Sequence, residues 1–323
     1  MTAPFDVDSS ATTANPEAVL SGEKAKTIEG RSLGQIAWMR LKRDRVALGG
    51  AFFIILLVLI AVFAPVIANH DPNAFNTNLI NADLGGPPKG AYGGVSSDHW
   101  LGVEPINGRD IFSRIVYGAR ISLLIALLAT IVSVTVGAVM GVTAGYFGGK
   151  VDGVINWLMN VLLCFPVLVF SIALLAVAES APRIPLLIGV IGFFGWPYIG
   201  RIVRGQTLSL REREFVDAAR SLGAGNGHII FKQLMPNLFA PLLVYATLII
   251  PTNILQEAAL SYLGVGVKPP TSSWGQMLSS AVAWSTTDPM YMAVPGVALF
   301  LAVMAFNLLG DGLRDALDPR AGR

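Results

Sequence analysis

Charge is scarce in this chain. Asp, Glu, Lys and Arg make up 14% of its 323 residues, against about a quarter in ordinary soluble domains. Cysteine is nearly absent: the single Cys164 excludes a disulfide within the chain. Histidine is limited to His70, His99 and His228. All three fall in polar segments, on opposite sides of a membrane by the topology below, and no Cys/His cluster has metal-ligand spacing. No metal site or cofactor is therefore expected. The sequence contains no Gly-x-x-x-x-Gly-Lys-Ser/Thr, so the chain should not hydrolyse ATP by itself. No Ser–His pair shares a membrane depth, which disfavours an intramembrane serine protease. Nothing is placed to make or break covalent bonds, and an enzyme is not expected.

Apolar residues are abundant, at 53% of the chain, with a mean hydropathy of +0.60. A run of ~20 apolar residues spans the ~30 Å of hydrocarbon in a bilayer. Six stretches qualify: Leu48–Ala68, Ile121–Ala144, Gly153–Ala178, Pro185–Gly200, Leu238–Leu263 and Met290–Leu309. The fourth is short and interrupted by glycine and by Trp196-Pro197. The expected fold is thus an all-α polytopic membrane protein. The first run is too long and too far from the N-terminus for a signal peptide, and reads as an uncleaved anchor. With both termini inside, only Lys89, Arg109, Arg114, Arg120, Arg183 and Lys268 of the 23 basic residues face outward. That bias sets the orientation, with both termini cytoplasmic.

Residues 1–30 lack apolar periodicity and are expected to be disordered cytoplasmic chain. Residues 31–110 hold an interfacial helix, the first span and an outer loop. Ser32 is a candidate N-cap, and Trp38 with the basic cluster up to Arg45 suits a helix in the headgroup layer. Such a cluster could also bind calmodulin or nucleic acid, but its place just before a span favours the lipid surface, and no nucleic-acid partner is expected. Asn69 to Asp110 is polar and rich in Gly, Pro and Asn, and Ile106–Tyr117 reads as a surface helix. Residues 111–310 form the core, with five spans, and 311–323 a cytoplasmic tail. In the second span Gly137, Gly141 and Gly145 share one helical face, where another helix can approach closely, in this chain or in a partner subunit. Pro166, behind Phe165, should bend the third span.

The segment 201–237 between the fourth and fifth spans is charged and amphipathic. Glu214 and Asp217 share a helical face, the following Ala218 and Ala219 allow close approach, and Gly223 permits a sharp turn before a second helical stretch reaches Pro236. On physical grounds alone, a partner-docking element and an ordinary solvated loop stand equal.

Glu214-x-x-Asp217-Ala218-Ala219-Arg220-x-x-Gly223, followed at the right distance by Pro236, resembles the EAA loop of ABC-importer permeases. Asp217 stands where that pattern has glutamate, Gln233 where it has isoleucine and Met235 where it has leucine. Gly108–Leu123, Gly145–Gly149, Glu257–Pro270, Ser273-Trp274-Gly275 and Asp311–Arg320 are similar to segments of the C-type permease of dipeptide and oligopeptide importers. The likeness runs from about Ser32 to Arg320.

That resemblance implies a type I importer permease in the bacterial cytoplasmic membrane. A related B-type permease would complete the pore, two cytoplasmic ATPases would sit below, and an extracytoplasmic binding protein would deliver the peptide substrate. It also implies that Glu214, Asp217, Ala218, Ala219, Arg220, Gly223 and Pro236 couple the spans to an ATPase, driving alternating access. Phe165, Pro166, Asn253 and Glu257 are candidates for the translocation pathway or gate. Glu257 either meets a substrate amino group or pairs with a loop cation such as Arg120. Nickel-chelate and glutathione importers use similar permeases; a stand-alone secondary carrier or channel is the reading from a different class.

Overall fold

The computed structural model describes residues 38–317. The disorder expected over 1–30 and the N-cap expected at Ser32 lie outside these residues, as does the end of the tail. Residues 38–41 are helical, with Lys42 Nζ 5.1 Å from the centre of the Trp38 ring.

Nine helices, labelled α1 to α9, organise the described chain, which contains no β-strand. The first, α1 (Arg45–Val62), begins where the Asp44 side chain accepts from the amides of Val46 and Ala47. It ends at Val62, capped by Phe63 and short of the expected Ala68, because Pro65 cannot continue its hydrogen bonding; a single turn, Ala64–Ile67, follows. Next comes α2 (Ile111–Phe147), 37 residues long or roughly 55 Å at 1.5 Å per residue. The surface helix expected at Ile106–Tyr117 is instead the buried first turns of α2, where Ile111 and Arg114 are both 0% exposed. The outer loop has folded over them.

The third span is not simply kinked. It is split into α3 (Gly149–Cys164) and α4 (Val167–Val177), bent by 85°. Pro166 bars the α conformation for Phe165, whose ψ is 139°. The fourth span, expected over Pro185–Gly200, is the middle of α5 (Arg183–Arg211), which accommodates Pro197 and absorbs the first residues of the 201–237 segment. After α6 (Glu214–Ser221) the chain re-enters helix at Asn226 and runs to Tyr262. Within that run a π turn, Ile229–Leu234, precedes α7 (Met235–Tyr262). The Met235 amide donates to the Ile230 carbonyl. The widened turn absorbs the hydrogen bond that Pro236, without an amide proton, cannot make. Finally α8 (Trp274–Ala281) lies between the apolar helices and α9 (Pro289–Leu317).

Contacts give the helix directions. Gly192 on α5 meets Ala129 and Val132 on α2, and Thr207 meets Gly145, so α2 and α5 run parallel. The α3–α4 pair must therefore carry the chain back between the same two ends and counts as a sixth crossing. At one end of the bundle lies the 69–110 loop. At the other lie α6, Ala47 of α1 and Gly312 of α9, so both ends of the described chain share the α6 side.

Between α2 and α5 the glycine stripe does the packing. A Cβ built on Gly137 would lie 2.7 Å from Ile199 Cβ, one on Gly141 2.6 Å from the Gly200 carbonyl oxygen, and one on Gly145 2.7 Å from Thr207 Cβ. In lipid such backbone-to-backbone approach, rather than exclusion of water, holds helices together.

The outer loop is ordered by its own polar contacts. Asn76 and Asn107, Asn81 and Pro87, and Glu104 and Arg109 pair through backbone hydrogen bonds. Glu104, 1% exposed, binds the Arg109 guanidinium and lies 3.1 Å from Arg114 Nε, an ion-pair contact without hydrogen-bond geometry. Two of the arginines that oppose the basic bias are thus held by a buried carboxylate.

Candidate coupling site

α6 is short, but its sequence gives it two unlike faces. Val216, 0% exposed, and Ala219, at 9%, point into the molecule. Glu214, Asp217, Ala218 and Arg220 stay on the surface. The buried pair joins Ile229 and Leu234 of the π turn, Tyr146 of α2, Val203 of α5 and Leu238 of α7 in one apolar cluster. Only the spacing of two apolar residues three apart within a charged helix foreshadows this anchor.

Polar contacts reinforce it. Tyr146 Oη donates to Asn226 Oδ1 at 2.9 Å, and Arg211 Nη1 donates to the Gly145 carbonyl at 3.0 Å. The Arg220 guanidinium lies 5.9 Å from the Tyr146 ring centre. Arg220 also reaches Asp217 at 3.3 Å, but both side chains are about half exposed or more, so this pair adds little stability.

Just past the Leu222 cap of α6 stands Gly223, whose φ of +82° lies in the left-handed region that a helix terminus needs and that side chains resist. Its amide donates to the Arg220 carbonyl and that of Ala224 to the Ala219 carbonyl. Beyond the turn, α6 and the re-entering helix enclose an open depression of about 600 Å³. Phe215, Ala218, Leu222, Gly223, His228 and Gln233 help to line it. Leu222 is 89% exposed, an apolar side chain at the rim that none of the described residues covers. Phe215, Leu222 and His228 escape the sequence argument, which follows charge and small residues. Pro236 lies exposed in the first turn of α7.

The four residues considered for a pathway fall into two pairs. Phe165 and Pro166 are exposed at the break between α3 and α4. Asn253 and Glu257 are buried on α7. Asn253 Nδ2 donates to Thr130 Oγ1 at 2.9 Å, and Glu257 accepts from Ser122 Oγ at 2.9 Å and Ser261 Oγ at 2.7 Å. Arg120 is exposed and is not the Glu257 partner. The hydroxyls fill that place because they need no counter-charge carried into the bundle. Ser122 accepts in turn from the Trp274 amide at the head of α8, linking α2, α7 and α8.

Six apolar crossings, a close-packed α2–α5 pair and a small charged helix bolted to their common end define a polytopic helical membrane protein, and comparison with known families says of which class. Residues 133–323 match the family of binding-protein-dependent transport system inner membrane components, and residues 32–87 match the N-terminal transmembrane domain of oligopeptide transport permease C. This chain belongs to that family and is a multi-pass inner membrane protein. It is 40% identical over 284 residues to the glutathione transport system permease protein GsiD of Escherichia coli O1:K1 / APEC, covering 88% of this chain and 89% of that one. The corresponding protein of Shigella flexneri serotype 5b is 42% identical over the same coverage. In fold it is similar to a chain of the inward-facing MetNI methionine ABC transporter. The TM-score is 0.52 at 19% identity, over 64% of this chain and 98% of that one.

Proposed function

We propose that this chain is one transmembrane half of an ATP-driven importer of short peptides, with α6 as the lever that a partner ATPase moves. The observation that carries this is mechanical. α6 leaves a charged face and an open depression free, while Val216 and Ala219 bolt it to α2, α5 and α7 at once. A force on the exposed face therefore reaches three crossing helices without passing through a flexible linker. ATP hydrolysis belongs to two separate cytoplasmic subunits. A B-type permease supplies the other half of the pore, and an extracytoplasmic binding protein delivers the peptide. The basic bias puts α6 on the cytoplasmic side, where such ATPases work. Closure of the ATPase pair on ATP pulls the lever and favours the outward-facing arrangement of the helices.

Among peptides, the glutathione-type tripeptide is the substrate that the relatives favour, since the similar chains are glutathione permeases. The test is reconstitution of the two permeases and the two ATPases in liposomes with the binding protein. ATP-dependent accumulation of labelled glutathione or a dipeptide is expected. A map of the assembled particle in which residues 211–236 touch only solvent, or solute movement by this chain alone without ATP, overturns the reading.

A further inference from the structure

His70, His99 and Asp110 are far apart in the sequence, and the folding of the outer loop brings them together. One ligand-capable atom from each lies within 4.8 Å of the other two. The two imidazoles stack, with centroids 4.5 Å apart and planes 28° from parallel. His99 Nδ1 is 2.9 Å from Asp110 Oδ1. His99 is 8% exposed and Asp110 0%. His70 is half-buried, and its Nδ1 is enclosed with no hydrogen-bond partner among the described residues.

An enclosed nitrogen left unpaired is unfavourable, since it has given up water for nothing. Beside a second imidazole and a carboxylate, a cation is the group that would satisfy it. We infer that these three side chains form a binding site for a divalent transition-metal ion, best matched by Zn²⁺.

The donor set supports this class. Imidazole nitrogens suit zinc and its neighbours, whereas magnesium and calcium take oxygen ligands. Zinc holds nitrogen and carboxylate oxygen at about 2.0–2.2 Å, which puts tetrahedral donors roughly 3.3 Å apart. Side-chain rotations that close the present spacing by an ångström or so are enough.

The surroundings are also built for it. Asp110 Oδ2 accepts from the Ser113 amide at 2.7 Å as the cap of α2, leaving Oδ1 to face His99 and an ion. Ser113 Oγ accepts from the His70 backbone amide at 3.2 Å and donates to Asn69 Oδ1 at 3.3 Å. One serine thus fixes the backbone of one ligand and the carboxylate of another, as an outer shell should. The adjoining depression of about 530 Å³, lined by Asn69, His70, Asp71 and Tyr117, leaves access for the ion and room for a water ligand. The ion would take the lone pair of His99 Nδ1 in the neutral tautomer that carries its single proton on Nε2. The ion would clip the segment following α1 to the cap of α2, independently of which solute crosses the membrane.

The experiment uses the full-length chain, purified through a tag without histidine, stripped with a chelator, re-equilibrated with Zn²⁺ or Co²⁺ and desalted. One zinc per chain is expected by elemental analysis, with the visible absorption of four-coordinate Co²⁺. His70→Ala should lose both signals because a ligand is gone, and since its side chain makes no hydrogen bond among the described residues, only its stacking on His99 is lost from the loop. His70→Cys should restore them, and His228→Ala should not change them. Asp110→Asn keeps a capping oxygen and should weaken retention by more than tenfold. A monodisperse wild-type chain without stoichiometric zinc, or a His70→Ala chain that retains as much as wild type, overturns the site.

Discussion

Replacing Gly141 by alanine tests whether α2 and α5 are in backbone contact. The new methyl carbon would lie 2.6 Å from the Gly200 carbonyl oxygen, 2.8 Å from Val203 Cβ and 3.0 Å from the Arg204 amide nitrogen. Two of these neighbours are backbone atoms, so no rotamer change relieves the clash. Carbon contacts are most favourable at about 3.5–4.0 Å, so α5 must withdraw by close to 1 Å, and a gap of that size forfeits a quarter to a half of each remaining contact along the stripe. Overpacking of this kind costs about 1–3 kcal/mol, against about 1 kcal/mol gained when alanine replaces glycine in a helix. The net expectation is a destabilisation of up to about 2 kcal/mol. Gly205, also on α5, has nothing within 4 Å of a built Cβ, so its alanine variant should gain about 0.5–1 kcal/mol. The assay heats each purified chain in detergent and measures the monodisperse fraction left. Gly141→Ala should melt below wild type and Gly205→Ala at or above it. A Gly141→Ala chain as stable as Gly205→Ala would refute the close approach.

Gly223→Trp should leave assembly intact and stop uptake: the left-handed backbone charges a side chain about 1–2 kcal/mol, and the indole would fill the depression beside α6. Asp217→Lys should lower the amount of ATPase that co-purifies, because it reverses a charge on the exposed face without touching the Val216 anchor; unchanged recovery makes that carboxylate incidental. Glu257→Leu leaves the Ser122 and Ser261 hydroxyls without their acceptor, at about 1–3 kcal/mol for each, and should cut the level of folded chain well below that of Glu257→Gln. Asp288, at the head of α9, is 3% exposed beside Gly93, and burial pushes its pKa up while the amides of Met290 and Tyr291 pull it back weakly. Its folded pKa lies above the unfolded one, so its contribution favours the fold at low pH and is lost as pH rises through the folded value. Asp288→Asn should therefore stabilise the chain at neutral pH, by an amount that shrinks toward pH ~4, where the carboxyl itself is neutral. A gain that persists at low pH would assign the effect to something other than charge.

Much of the architecture is legible residue by residue because the bilayer leaves so few choices. Hydrocarbon demands apolar runs of fixed length with their backbone bonds satisfied internally, so α1, α2, α5, α7 and α9 all stand on expected runs. Their ends were not legible. The run through Ala68 stops at Val62 since Pro65 intervenes, whereas Pro197 does not stop α5, because neighbouring helices support it. The 85° turn at Phe165-Pro166 exceeds what a lone proline announces. In the 201–237 segment the exposed residues were readable from charge and small size, while Val216, Tyr146 and Asn226, which hold α6 and the turn after it in place, are ordinary residue types whose role exists only through their neighbours.

From composition and order alone, this chain was bound to be a six-crossing helical membrane protein carrying one polar, turn-bounded element between its fourth and fifth crossings. Water and lipid impose that pattern locally, one segment at a time. Tertiary packing alone decided that the glycine stripe of α2 is spent on α5 within the chain, and that Glu257 is held by hydroxyls instead of Arg120. It alone set two histidines and an aspartate from distant positions side by side. Those outcomes depend on which segments meet across the bundle, and contacts between distant segments leave no periodic mark along a sequence.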